Sequence, residues 1–225
     1  MEEGISASAV WREALAIVYR HPMATVAPAL FLGALTESPY LFPDSESVLQ
    51  NTLAFFTESF AFYLYVAYAE ELTLEARRST GLIPLPRVLR NLLLAAPVVP
   101  LVTVASFAAI MLPTAAASLL VIPGLWLLTR WSLFAPVIVR ERLGSLAALR
   151  RSNELVRGHF ELVFLTAAFA VVLEETVMDA GALGGLTVTG SDTWGEWIGG
   201  SVGAVLILPV ASFATALAYS ELRHL

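Results

Sequence analysis

The sequence predicts an all-α protein: a polytopic membrane helix bundle in which residues 1–225 form one integral membrane domain. Three observations predict it. Hydrophobic residues make up 57% of the chain and charged residues 14%, whereas ordinary soluble domains carry about 25% charged residues. A soluble core of this size would lack the polar surface to cover it. Several apolar stretches reach the ~20 residues needed to cross a hydrocarbon core. The arginines, finally, fall in alternate connecting segments.

Taken in order, residues 5–20 read as an amphipathic helix. Val10, Trp11, Ala14, Leu15, Ile17 and Val18 lie to one side, and Arg12, Glu13 and Arg20 interrupt the other. It is too short and too charged to span. It suits either an in-plane position in the headgroup layer or an extension of the first span. Spans are expected at 22–38, 49–70, 89–112, 115–139, 160–180 and 198–219. Pro22 opens the first, and the second is rich in aromatics from Phe55 to Tyr68. A second amphipathic segment is expected at 144–157. Leu146, Leu149 and Val156 share one face there, and Arg150 and Glu154 stand at the favourable four-residue spacing. The Gly-rich stretch Gly181–Gly190 reads as the loop before the sixth span. Met1-Glu2-Glu3-Gly4 is acidic where a signal peptide would be basic, so the first span is expected to direct insertion.

The charge pattern gives the topology a direction. Arg12, Arg20, Arg77, Arg78, Arg87, Arg90, Arg140, Arg142, Arg150, Arg151, Arg157 and Arg223 all fall in segments that six spans place on one side. The opposite segments hold Glu37, Asp44, Glu46, Asp192 and Glu196 and no arginine. By the positive-inside rule both ends are cytoplasmic, in a cell (cytoplasmic) membrane.

Several chemistries are excluded or unsupported. With no cysteine there is no disulfide, thiolate nucleophile or cysteine metal site. No phosphate-binding loop, zinc-protease helix or nucleophile elbow occurs. His21, His159 and His224 lie far apart and read as membrane-edge residues. No catalytic residue, metal or cofactor is therefore expected. Membrane lipids are the expected partners and nucleic acid is not, while a homo-oligomer or a separate membrane partner stays open.

Polar residues at membrane depth are costly and so draw attention. Glu58 in span two and Arg130 in span four differ in depth by only about 3 Å at 1.5 Å per residue. They are expected to form a midplane pair, either a static ion pair or a coupling site. Glu174, Glu175 and Asp179 cluster toward the end of span five and suit a solvated helix end or a cation site. Pro123-Gly124 predicts a kink or break in span four, because proline removes a backbone donor. Gly199 and Gly203 form a small-xxx-small pair suited to close helix packing within the chain. Arg140, Arg142, Arg150, Arg151 and Arg157 are candidate contacts for anionic lipid headgroups, at about 1 kcal/mol each, or else ordinary topology signals.

The run from Ile122 through Pro123-Gly124 and Arg130 to Glu141, followed by Ala148-Leu149-Arg150-Arg151-Ser152-Asn153-Glu154-Leu155-Val156-Arg157-Gly158-His159-Phe160, resembles the membrane domain fused to some glycerophosphodiester phosphodiesterases. It is similar also to related stand-alone membrane proteins of undefined function. Tyr219-Ser220-Glu221-Leu222-Arg223 resembles their closing pattern. The resemblance implies a membrane domain with Pro123, Gly124, Arg130, Ser152, Leu155 and Gly158 as signature positions. It carries no catalytic residue, since in the fused proteins a separate soluble domain supplies the chemistry. The expected function is a non-enzymatic scaffold or accessory component of the cell envelope, linked to lipid. The alternative is a small transporter or channel using the Glu58–Arg130 pair and the Pro123-Gly124 break.

Overall fold

The computed structural model describes residues 6–36, 48–78, 101–102, 105 and 121–224. Among them all regular structure is helical, with no strand. The helices are α1 (Ala7–Arg20), α2 (Pro22–Thr36), α3 (Val48–Arg78), α4 (Val121–Trp131), α5 (Phe134–Glu141), α6 (Ser145–Val156) and α7 (Phe160–Val163). A π-helical turn over Phe164–Ala168 leads from α7 into α8 (Phe169–Thr189), and α9 (Asp192–Leu222) closes the described chain. Two segments are long and apolar enough to cross a membrane, Ile122–Glu141 and Thr193–Leu222. A third is added if α1 and α2, bent by 95° at His21, are counted as one. Six were expected. The third, 89–112, lies almost wholly outside the described residues. The second and fifth form helices, but Glu58 interrupts the apolar run of α3, and Glu174, Glu175 and Asp179 interrupt that of α8.

The two amphipathic segments fold as helices. Ser6 caps α1, its hydroxyl accepting the Ala9 N–H at 3.3 Å. Val10, Ala14 and Ile17, one helical face, are buried against α9 and the π turn, while Leu15 of the expected face stays exposed. In α6 the buried stripe is Ser145, Ala148, Leu149, Ser152, Leu155 and Val156. Leu146 lies off that stripe and is 71% exposed, so it does not share the buried face with Leu149 and Val156. Glu154 pairs with Arg151 at 3.5 Å.

Gly181–Thr189 is helix, not loop. Alpha8 and α9 form an antiparallel hairpin that turns at Gly190 (φ +65) and Ser191, the latter capping α9 by accepting the Trp194 N–H. Gly181, Gly185, Gly195, Gly199 and Gly203 are interface residues. A Cβ on Gly199 would overlap the Gly181 backbone, one on Gly185 would overlap Gly195, and one on Gly203 would lie 2.8 Å from the Val177 carbonyl. Their absent side chains let the two backbones touch. This is the close packing within the chain expected of Gly199 and Gly203, extended by two glycines on α8 and one more on α9.

Backbone irregularities are matched by side-chain donors. Pro28 inside α2 has no N–H, which strips the Ala24 carbonyl of its helical donor. The Tyr68 hydroxyl donates to that carbonyl at 2.6 Å, and Tyr65 donates to the neighbouring Thr25 carbonyl. Ala34 is among the last residues of α2, whose carbonyls have no helical donor. It accepts the Trp197 indole N–H at 3.1 Å. In the π turn, Phe169 N–H bonds to Phe164, which leaves Leu165 without its usual donor. The Trp11 indole N–H fills the place at 2.9 Å. Where water is scarce, each unsatisfied carbonyl would cost several kcal/mol.

Candidate functional site

The expected break at Pro123-Gly124 is not where the described backbone breaks. Alpha4 is helical through both residues, and the interruption falls at Ser132–Leu133, between α4 and α5. Pro136 marks it, since it has no N–H to give the Ser132 carbonyl four residues back. The Ser152 hydroxyl holds the break, accepting the Leu133 N–H at 3.2 Å and donating to the Arg130 carbonyl at 2.9 Å. One hydroxyl, both donor and acceptor, thus satisfies a backbone group on each side of the break. Ser132 turns back onto the Thr129 carbonyl at 2.9 Å. Ser152 is fully buried and Leu155 packs beside it on the same face of α6. Gly158 adopts φ +94 in the turn that separates α6 from α7, a backbone that an L side chain enters only with strain.

Arg130 is held by α6. Its guanidinium donates to Asn153 Oδ1 at 2.6 Å and lies 4.2 Å from the centre of the Trp126 ring. Its Nε is buried with no hydrogen-bond partner. The Glu58 side chain, expected as its counter-ion, lies outside the described residues. The partners that are described are an amide, reached because α4 packs across α6, and an aromatic face one turn earlier on α4 itself. Arg150 and Arg157, one turn to either side of Asn153, are exposed.

A separate ionic network closes the other end of α5. Arg140 pairs with Glu70 at 3.1 Å, and Glu70 is only 2% exposed. Arg142 lies 4.0 Å from Glu71. Glu141 accepts from Arg151 at 3.1 Å and from the Tyr219 hydroxyl at 3.2 Å. Ser145 donates to the Leu101 carbonyl at 2.9 Å. Alpha3, α5, α6 and α9 are tied together by these contacts. Of the five arginines expected at lipid headgroups, Arg140, Arg142 and Arg151 are therefore engaged by carboxylates, and Arg150 and Arg157 are exposed.

Glu174 also departs from expectation. It does not end a helix, because the helix continues fifteen residues beyond it to Thr189. It is 6% exposed and lines a cavity with room for about one water molecule, together with Gly33, Thr36, Phe62, Met178 and Ala204. Asp179 is exposed, and the Glu175 side chain lies outside the described residues. Carrying the α8–α9 register on from Gly181–Gly199 and Val177–Gly203 sets Glu174 level with Leu206, in the middle of Thr193–Leu222. Among the described residues no three His, Asp or Glu side chains are grouped to hold a metal.

Asn153 was the residue missed by sequence reasoning. Its signal was present: it falls between two arginines on the face of an amphipathic helix, next to Ser152 in the resemblance segment. Comparison of the chain with protein-family models, with characterised proteins and with solved structures returns no match.

Proposed function

We propose that this chain is a multi-pass membrane protein with six spans and both ends cytoplasmic. Its role is non-enzymatic: a scaffold or accessory component of the cell envelope in contact with membrane lipid. One observation carries the reading. Charged groups inside the described bundle hold helices together, with Glu70 on Arg140, Glu141 on Arg151 and Tyr219, and Arg130 on Asn153. Two features support the membrane topology. The 95° bend at His21 suits an in-plane α1 hinged on a spanning α2, and the backbone contact along α8 and α9 suits two adjacent spans. The resemblance of the 122–160 segment to the phosphodiesterase-associated membrane domain favours the same class.

The absence of cysteine makes the topology directly testable. Single Ser8→Cys, Arg157→Cys and His224→Cys variants should react with an impermeant thiol reagent only after the cells are opened, and Thr189→Cys should react in intact cells. Labelling of Thr189 and His224 positions from the same side would reject the arrangement. Proteoliposomes that move no ion or lipid across a broad panel are expected for a scaffold. The transporter or channel reading draws its support from Glu174, a buried carboxyl beside a water-sized cavity. Flux lost in Glu174→Gln would favour it.

A further inference from the structure

We propose that Glu174 is a proton-binding site of the folded protein, exchanging its proton with a water held in the cavity beside it. The inference goes beyond the scaffold reading and rests only on its membrane placement, since a carboxyl can bind a proton without anything crossing the bilayer.

Position is the first argument. Glu174 is buried where four helices meet: the cavity it lines on α8 is completed by Gly33 and Thr36 of α2, Phe62 of α3, and Ala204 and Leu208 of α9. Ala204 and Leu208 bracket Leu206, so the cavity and the α8–α9 backbone register agree on a depth near the middle of Thr193–Leu222. An ionisable side chain is costly to keep at that depth, and where one is kept it marks a proton or ion site.

Chemistry is the second argument, and it selects a proton over a metal cation. The buried Thr36 hydroxyl donates to the Gly33 carbonyl at 3.0 Å, which leaves its oxygen lone pairs to accept. A cavity water can donate to Thr36 and exchange a proton with the carboxyl, the two polar partners that a buried water needs at the least. Carboxylate and hydronium then give carboxylic acid and water, and release runs the same step backwards. The lining supplies only these two oxygen-bearing side chains, whereas a hard metal cation takes about six oxygens. The Tyr63 hydroxyl, buried without a hydrogen-bond partner and within electrostatic reach of Glu174, adds a second polar group that can answer a change of charge there.

Few other titratable groups surround the site. Helix α2 carries none, and α9 carries none between Glu196 and Tyr219. Helix α3 brings Tyr63, with Glu58 one turn before Phe62 and its side chain outside the described residues. On α8 itself Glu175 comes next, its side chain also outside them, and Asp179 is exposed.

The test is infrared difference spectroscopy of the intact protein in phosphatidylcholine vesicles, titrated from the acid to the alkaline side of neutrality. Wild type should show a carboxylic acid C=O band that is lost as carboxylate bands grow, that shifts in heavy water and that is missing from Glu174→Gln. Thr36→Val, which keeps the shape and removes the hydroxyl, should retain the band but slow its deuterium shift several-fold. That variant carries the test if Glu174→Gln does not fold. Asp179→Asn, at an exposed position, should leave the band unchanged. An identical titration in Glu174→Gln, a wild-type band indifferent to pH or to heavy water, or exchange at the wild-type rate in Thr36→Val would overturn the site. A titration displaced by sodium or calcium chloride relative to choline chloride at equal ionic strength would overturn the proton assignment in favour of a metal cation. The thiol-labelling map uses no Glu174 variant and the infrared titration counts no spans, so each can fail without the other.

Discussion

Ser152 and Leu133 are joined across the break between α4 and α5: the Leu133 N–H donates to the Ser152 hydroxyl at 3.2 Å, and that hydroxyl in turn donates a hydrogen bond to the Arg130 carbonyl. Replacing Ser152 with Ala leaves both backbone groups buried without those partners. The expected loss is about 2 kcal/mol, since an unsatisfied buried group costs roughly 1–3 kcal/mol. Chemical or thermal unfolding in detergent would measure it. A loss below about 0.5 kcal/mol would show that the break is held by packing alone.

Pro28 and Tyr68 allow a sharper experiment because one residue creates the need that the other meets. Tyr68→Phe should cost about 1–2 kcal/mol by leaving the Ala24 carbonyl bare. In a Pro28→Ala background the restored N–H supplies Ala24 locally, so the same Tyr68→Phe change should cost much less. A double-mutant cycle reads the difference directly. Additive losses would mean that the tyrosine hydroxyl is not answering the proline.

The glycines of the hairpin divide into two kinds. Gly199→Ala would drive a methyl into the Gly181 backbone and should cost well over 1 kcal/mol. Gly184→Ala meets open space on the same helix pair and should be neutral or stabilising by up to about 1 kcal/mol through helix propensity. Comparing the two unfolding midpoints distinguishes a packed hairpin from a glycine-rich loop, in which both changes would be silent.

For the ion pair between Glu70 and Arg140, a double-mutant cycle with Glu70→Gln and Arg140→Met should give a coupling of roughly 1–3 kcal/mol. The upper end is tempered by Arg140, which is 27% exposed and partly solvated. A coupling near zero would remove this pair from the scaffold argument.

Gly158→Ala tests the backbone alone. Nothing lies within 4 Å of a Cβ there, so any loss comes from forcing φ +94 on an L residue, about 1–2 kcal/mol. Arg150→Ala on exposed α6 serves as the reference change.

Much of the helical layout was legible because it is local. The spacing that predicts helices over 5–20 and 144–157 lies within single turns, and the observed helices, Ala7–Arg20 and Ser145–Val156, fall inside those limits. What escaped was set by distant residues. Pro136, four residues after Ser132, is a local signal for the break there, but the serine that holds it lies nineteen residues beyond Leu133. Gly181–Gly190 has the composition of a loop, and only the presence of Gly195, Gly199 and Gly203 opposite makes part of it an interface. For the candidate site, Arg130 was identified but its described partner was not. A charged residue invites the search for an opposite charge, and Asn153 carries none.

The α8–α9 hairpin bears on how such a protein is made. By itself α8 is a poor candidate for membrane insertion, since Glu174, Glu175 and Asp179 each resist leaving water. Alpha9 is long and apolar, and only Gly190 and Ser191 separate the two helices. On the six-span topology α8 emerges from the ribosome first but is committed to the bilayer only when α9 follows, so the pair enters as one unit. Cutting the chain after Gly190 would then leave α8 stranded at the surface, a fate that its own hydropathy dictates and its partner reverses.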